Sequence, residues 1–231
     1  MSLKEIIKKS PLLGPSLMWI RRKTQTQLKF ERSDQYWKDR YKNGGNSGAG
    51  SYSIFAEFKA EILNAFVEEN AIQSVIEFGS GDGNQLTLAT YPRYLGVDIS
   101  PEAVALCEAR FQKDGNKAFI TLDQYADERG DLSISLDVIY HLVEDGTFHA
   151  YMHRLFDAAL RYVIIYSSNT DENSGNDAAH VRHRHFSAWI DKHQSAWVLD
   201  RHLPNCYPYS GNSETGSFAD FFIYKKIDLK H

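Results

Sequence analysis

Apolar positions along this chain follow two periods. Ile54, Phe55, Phe58, Ile62, Leu63, Phe66 and Val67 recur at helical spacing and predict a helix over 53–70, its phenylalanine-rich stripe turned to a core. Lys59, on the same stretch, could reach a pocket but reads as a solvated lysine. Short apolar runs follow at 75–78, 93–100, 117–123, 131–143 and 161–169, each the length of a strand buried in a parallel sheet. Helical spacing returns at 101–112 and 147–160. Ser100 stands as an N-cap before Pro101 at the first helical position. Further on, 186–193 reads as a helix, 197–203 as a strand and 218–227 as a last strand. Strands alternating with helices imply an α/β domain built on a doubly wound, mostly parallel sheet. Its expected extent is 33–231, with a basic and apolar segment at 1–32 in front of it.

The run at 75–78 contains an acid, Glu77, where isolated charge is costly unless paired or hydrogen-bonded. Gly79, Gly81 and Gly83 follow at alternate positions. Glycine lets the backbone turn with positive φ and lets a ligand approach the main chain. A strand that ends in such a turn and opens a helix is a nucleotide-binding element. Spacing separates the nucleotides. Dinucleotide folds use G-x-G-x-x-G, but here the third glycine comes one residue early and Asn84 occupies the place it would need.

Glu-Phe-Gly-Ser-Gly-Asp-Gly at 77–83 instead resembles the (Glu/Asp)-x-G-x-G-x-G motif of class I S-adenosylmethionine (SAM)-dependent methyltransferases. The resemblance implies a Rossmann-like sheet of seven strands, with the last strand antiparallel and placed between the fifth strand and the strand at 197–203. It implies that the glycine turn wraps the amino-acid part of SAM and that Glu77 orients that part. Asp98 ends the second strand about twenty residues beyond the glycines, where a carboxylate reaches a ribose diol in a nucleotide-binding βαβ unit. Two hydroxyls on one carboxylate make charge-assisted bonds. A helix N-cap is the other reading of Asp98, although Ser100 already supplies a cap. Asp123, just after the third strand, stands where the family places an acid on the adenine amino group; a turn aspartate is the alternative.

Ahead of the motif, the stretch 43–52 is rich in glycine and serine and is flanked by Trp37, Tyr41 and Tyr52. The Tyr-Trp-x-x-x-Tyr pattern at 36–41 resembles the segment that closes over the cofactor in these enzymes. That makes Tyr41 and Tyr52 lid candidates, against an ordinary surface loop held down by aromatics.

The acceptor is less legible. The stretch 135–142 resembles the Ser-x-Asp-Val-x-x-His-Leu sequence at the end of the fourth strand in many small-molecule methyltransferases. Ligands of open α/β sheets bind outside the carboxyl ends of the strands, at the switch point, which brings Asp137, Tyr140 and His141 near the acceptor. A hydroxyl acceptor needs a base. His141 is one candidate, or a histidine that closes the core. His180, Arg182, His183, Arg184 and His185 crowd one short segment. They offer a base (His183), an anion site (His180, Arg182 and Arg184), a metal site or a solvated surface. Their spacing matches no standard zinc pattern, so no metal is expected.

Composition sets the remaining bounds. A net charge of −4 supplies no basic field for nucleic acid. Cys107 and Cys206 are the two cysteines, far apart, which suits a reducing, cytoplasmic compartment. No apolar run has the length of a membrane span. Residues 1–23, with basic groups around Trp19 and leucines, either lie on a membrane surface or a partner or cover the domain edge. The Gly-Gly-Asn-Ser-Gly-x-Gly-Ser-Tyr and His-x-Arg-His stretches also resemble a bacterial methyltransferase group that tailors surface polysaccharides or small metabolites. The expected activity is therefore SAM-dependent O-methylation of a small-molecule or glycan acceptor. Competing expectations are a NAD-dependent sugar-modifying enzyme, which lacks its Tyr-x-x-x-Lys pair here, and a non-catalytic scaffold in a polysaccharide-assembly complex.

Overall fold

A computed structural model describes residues 30–174 and 178–227. The segment at 1–23, for which a membrane or partner contact is expected, lies outside the described residues. The strands are β1 (Val75–Phe78), β2 (Tyr94–Asp98), β3 (Lys117–Thr121), β4 (Gly130–Leu136), β5 (Ala159–Ser167), β6 (Trp197–Leu203) and β7 (Asp220–Lys226). They form one seven-stranded sheet in the order β3-β2-β1-β4-β5-β7-β6. β1 to β5 pair in parallel, while β7 runs antiparallel to both of its neighbours, β5 and β6. This is the doubly wound sheet expected, with its last strand inserted where the resemblance implied. The strand order reverses between β1 and β4, so a crevice forms beyond their carboxyl ends.

Five helices matter for the site: α1 (Ser33–Lys42), α2 (Ser53–Glu69), α3 (Pro101–Phe111), α4 (Asp145–Asp157) and α5 (Phe186–His193). α3 starts as its sequence dictates: Ser100 Oγ accepts from the Ala103 amide at 3.3 Å, and Pro101 needs no amide partner. Side chains of β1 alternate between the two faces of the sheet. Val75 joins Leu63, Phe66 and Val104 under α2 and α3. Ile76 and Phe78 join Phe148, Leu155 and Ile190 under α4 and α5. Each large side chain buried this way contributes about 1.5–3 kcal/mol.

Two expectations change. The glycine turn does not open an α-helix; it passes into one 3-10 turn, Gln85–Leu88, before β2. Thr87 and Thr90 are poor helix formers and Pro92 stops a helix, so the crossover stays short and tight. Lys59 is not solvated. It is fully buried on the inner face of α2, and Asp137 at the end of β4 is the reason.

Candidate active site

The glycine turn has the backbone its sequence asks for. Gly79, Gly81 and Gly83 have φ of 86°, 59° and 70°, a region that side-chain-bearing residues enter only under strain. A Cβ on Gly79 would lie 2.4 Å from Val138, and one on Gly81 would lie 2.3 Å from Ser47 Oγ. The turn is thus pressed between the end of β4 on one side and the loop after α1 on the other. Gly83 faces away from the crevice, toward Cys107 and Phe111 of α3.

That loop is a docked strap. Ser47 and Asp82 exchange two bonds: the Ser47 amide donates to Asp82 Oδ2 at 3.1 Å, and the Asp82 amide donates to Ser47 Oγ at 2.9 Å. Tyr52 donates its hydroxyl to the same Asp82 oxygen at 2.6 Å, and the Tyr41 hydroxyl meets Ser47 Oγ at 2.9 Å. Asn84 Nδ2 ties the strap again through Ser51 O at 2.8 Å. Burial pushes Asp82 up, but the bonds from Tyr52, Asn84 and Ser47 outweigh it and hold the carboxyl below its usual range. Tyr52 is pushed up to about 12, by burial and by its bond to Asp82. Tyr41 and Tyr52 therefore both fasten the strap, and Tyr41 also lines the cleft beneath it.

Glu77, Gly79, Gly81, Asp98, Tyr41 and His141 line one cleft at the switch point. Glu77 is pushed up to about 7, first by burial, against the hydrogen bond it accepts from Tyr94 at 2.5 Å. Asp98 accepts from the amides of Gly81 and Ser100, each at 2.9 Å. Burial raises its carboxyl, and those two amides oppose the rise. The amide bonds hold the carboxylate at the floor of the turn and leave further lone pairs for a ligand. Asp123 is exposed and is not among the residues that line the cleft; Leu122 is.

At the other wall, β4 ends in Asp137, a non-glycine residue at φ 60°. Its Oδ2 lies 2.5 Å from Lys59 Nζ, and its Oδ1 accepts from the Tyr140 hydroxyl at 2.8 Å. Tyr140 itself is buried and lies behind the cleft lining. A Cβ on Gly50 would lie 2.7 Å from Asp137 Oδ2, so the strap closes onto this carboxylate as well. His141 follows on a 3-10 turn and lines the cleft. Its Nδ1 sits 2.9 Å from His180 O, and Trp37 of α1 packs edge-on at 4.8 Å. Burial pushes the imidazole down to about 4.

The segment 180–185 does not act as one cluster. His180 stacks on Tyr36 at 4.4 Å and on His141 at 5.3 Å. Arg182 and Arg184 instead bind Asp145 Oδ1, at 3.0 and 2.6 Å, and both donate to Val143 O. Arg184 also lies over the Phe148 ring at 4.7 Å. The anion site expected of them is thus taken up by the protein's own acid and carbonyls. His183 points to the opposite side, where its Nδ1 meets Ser168 Oγ at 2.7 Å, and Tyr140 separates it from His141. Among the described residues no three such side chains converge to hold a metal ion.

The cleft fits a cofactor. Ser80 Oγ and Gln85 Oε1 lie buried in its lining with no hydrogen-bond partner, an arrangement that folding alone does not favour. Residues 76–161 match the family model described as a methyltransferase domain. That stretch is a methyltransferase domain. The fold of this methyltransferase is shared with the N-methyltransferase NodS from Bradyrhizobium japonicum WM9 in complex with S-adenosylhomocysteine (SAH). That pair has a TM-score of 0.65 at 15% identity, over 86% of this chain and 100% of that one. Magnesium protoporphyrin IX methyltransferase from Synechocystis PCC 6803 with bound SAM gives 0.58 at 16% identity, over 88% and 100%. The methyltransferase domain of bacterial CtHen1-C gives 0.56 at 18%, over 74% and 97%. No curated protein sequence is significantly similar to the chain. The matched domain is that of an enzyme, a methyltransferase, and among the described residues no helix is long and apolar enough to cross a membrane.

Sequence reasoning missed Ser47, set Lys59 down as solvated, and met Trp37 only as an aromatic beside the strap. Asp82 stands inside the motif, yet its spacing alone assigned it no role; only the docked strap shows what it holds.

Proposed function

We propose that the methyltransferase O-methylates a hydroxyl of a small-molecule or sugar acceptor, with His141 as the base. The observation that carries this reading is the bond between His141 Nδ1 and His180 O at 2.9 Å. A carbonyl only accepts, so Nδ1 holds the proton and Nε2 keeps its lone pair. The low proton affinity of this ring keeps it neutral at ordinary pH. When bound, SAM supplies an electrophilic methyl on a sulfonium. Gly79 and Gly81 offer main chain for its amino-acid part, Asp98 accepts from ribose hydroxyls, and Glu77 sets the turn. Asp123, exposed just beyond Leu122 of the cleft lining, would have to turn inward to reach the adenine. The chain's main contribution to the step is alignment. His141 removes the acceptor proton as the oxygen forms its bond to carbon.

The solved structures of this fold do not select an acceptor, since one is named as an N-methyltransferase and another as a porphyrin methyltransferase. An amine acceptor that arrives deprotonated needs no base, so His141 separates the two chemistries. The test is calorimetric titration with SAH, with Asp98→Asn as control, followed by turnover of wild type and His141→Gln on hydroxyl and amine acceptors. SAH binding lost in Asp98→Asn and a hydroxyl product dependent on His141 support the reading. Full-rate methylation by His141→Gln overturns it.

A further inference from the structure

The cleft does not end at the glycine turn. Its lining runs on to Ser33, Asp34, Trp37, His141, Leu142 and Thr147, where α1 meets the loop before α4. Ser33 ties the two together: its amide donates to Glu144 Oε1 and its Oγ accepts from the Val143 amide, each at 3.0 Å. Because this stretch and the turn line one continuous cleft, an acceptor held here shares its space with both His141 and the cofactor. Resting on the proposed O-methylation, we infer that this end of the cleft takes the acceptor and that the acceptor is an uncharged aromatic hydroxyl, a phenol, rather than a sugar.

The walls are the first reason. Trp37 is half-buried, and its ring is held by His141 edge-on at 4.8 Å and by the Arg40 guanidinium 5.4 Å from its centroid. With Leu142 in the same lining, the indole offers a fixed apolar surface. An aromatic ring packed on another gains about 0.5–1.5 kcal/mol beyond the area it buries.

The polar groups of this stretch are the second reason, since they are few and already engaged. Ser33 Oγ is bound to the Val143 amide and also donates to the Glu144 carboxyl. Asp34 takes two bonds from the Arg32 guanidinium, at 3.0 and 2.9 Å. Thr147 stands exposed at the rim. A sugar ring carries several hydroxyls, and each one buried without a partner costs about 1–3 kcal/mol. A phenol brings one, and His141 Nε2 accepts from it. Of the six residues Asp34 alone is charged, and Arg32 offsets it, so an uncharged acceptor suits the site.

The base points the same way. The low proton affinity of His141 leaves a wide gap to an aliphatic hydroxyl and a narrower one to a phenol, whose ordinary value is about 10. In the step, the phenol proton passes to His141 Nε2 and an oxygen lone pair forms the bond to the methyl carbon. The electron pair of the broken C–S bond stays on the sulfur, which leaves as SAH.

The experiment uses saturation-transfer NMR on the protein–SAH complex with phenol, 4-methylphenol and methyl glucoside as probes, followed by turnover of each with SAM. The two phenols are expected to give saturable transfer and methyl glucoside none, with kcat/KM at least a hundredfold higher for phenol. Trp37→Ala should weaken phenol binding at least tenfold and Trp37→Phe less than threefold, each with calorimetric SAH affinity within threefold of wild type. Methyl glucoside bound as well as phenol, no phenol bound to the SAH complex, or phenol binding indifferent to Trp37→Ala overturns the assignment. An equal loss of SAH affinity in Trp37→Ala places the indole on the cofactor and overturns it as well. SAH affinity, phenol binding and turnover are read separately, so a failure of the cofactor or of the O-methylation is distinguishable from a failure of this assignment.

Discussion

Lys59 Nζ lies 2.5 Å from Asp137 Oδ2 and joins the inner face of α2 to the carboxyl end of β4. The lysine is fully buried, and its ammonium also lies 5.3 Å from the centre of the Tyr166 ring. Removing one partner of such a pair leaves a desolvated charge and costs about 3–5 kcal/mol, whereas removing both with apolar residues of similar size restores much of the loss. Lys59→Met should therefore lower unfolding stability by about that amount in urea, and Lys59→Met/Asp137→Leu should recover at least half. Equal stability of Lys59→Met and wild type would mean that the pair does no structural work.

Glu77 gives the fold a pH dependence of unusual sign. Its folded value, about 7, lies above the ordinary carboxylate value, so between roughly pH 4.5 and 7 the folded chain holds the proton more tightly than the unfolded one. This contribution is full below the unfolded value and is lost as pH rises through 7. In Glu77→Gln it is absent. The stability difference between variant and wild type should therefore grow in the variant's favour from pH 4.5 to 7, by up to about 3 kcal/mol, and then level off. Denaturant midpoints at several pH values read it directly.

Gly81 tests the contact between turn and strap. An alanine there is strained at φ 59°, and its Cβ forces Ser47 out of its bonds to Asp82 and Tyr41. Gly81→Ala should weaken SAH binding at least tenfold by calorimetry. Gly115→Ala, with open space around its Cβ, should leave it unchanged.

His141 sets the rate profile. With its value near 4, the imidazole is neutral through the range in which an ordinary histidine titrates. At saturating SAM, kcat should stay level from pH 8 down to about 5.5 and fall only as pH approaches 4. His141→Gln should reduce kcat by about 10²- to 10⁴-fold at every pH in that range with little change in the KM for SAM. An acid limb centred near 6.5 would assign the proton transfer to another group.

The strands, the glycine turn and the start of α3 were legible because each is written in short-range pattern: apolar runs of strand length, alternate glycines, and Ser100 before Pro101; the place of the last strand came only from the family resemblance. Lys59 was not, since a lysine on a helix reads as solvated until the sheet brings up a carboxylate from β4. The segment at 180–185 misled in another way. Crowding along the sequence suggested one site, but neighbouring side chains point to opposite sides of the segment. Arg182 and Arg184 share Asp145 on one side, and His183 meets Ser168 on the other. The expected helix after the glycines was lost to the shortness of the crossover, a length effect that motif reading does not register.

The place of β7 has a consequence for synthesis. Among the described residues β6 pairs with no strand but β7, and β5 meets β7 through an apolar edge that includes Val163, Ile164 and Ile165. Both edges leave the ribosome before the strand that covers them. Until Asp220–Lys226 has emerged and inserted between them, the nascent chain presents two open strand edges, a template for pairing with another molecule. The step most exposed to aggregation is therefore the last insertion in the sheet, and it falls after the cofactor turn has already been made.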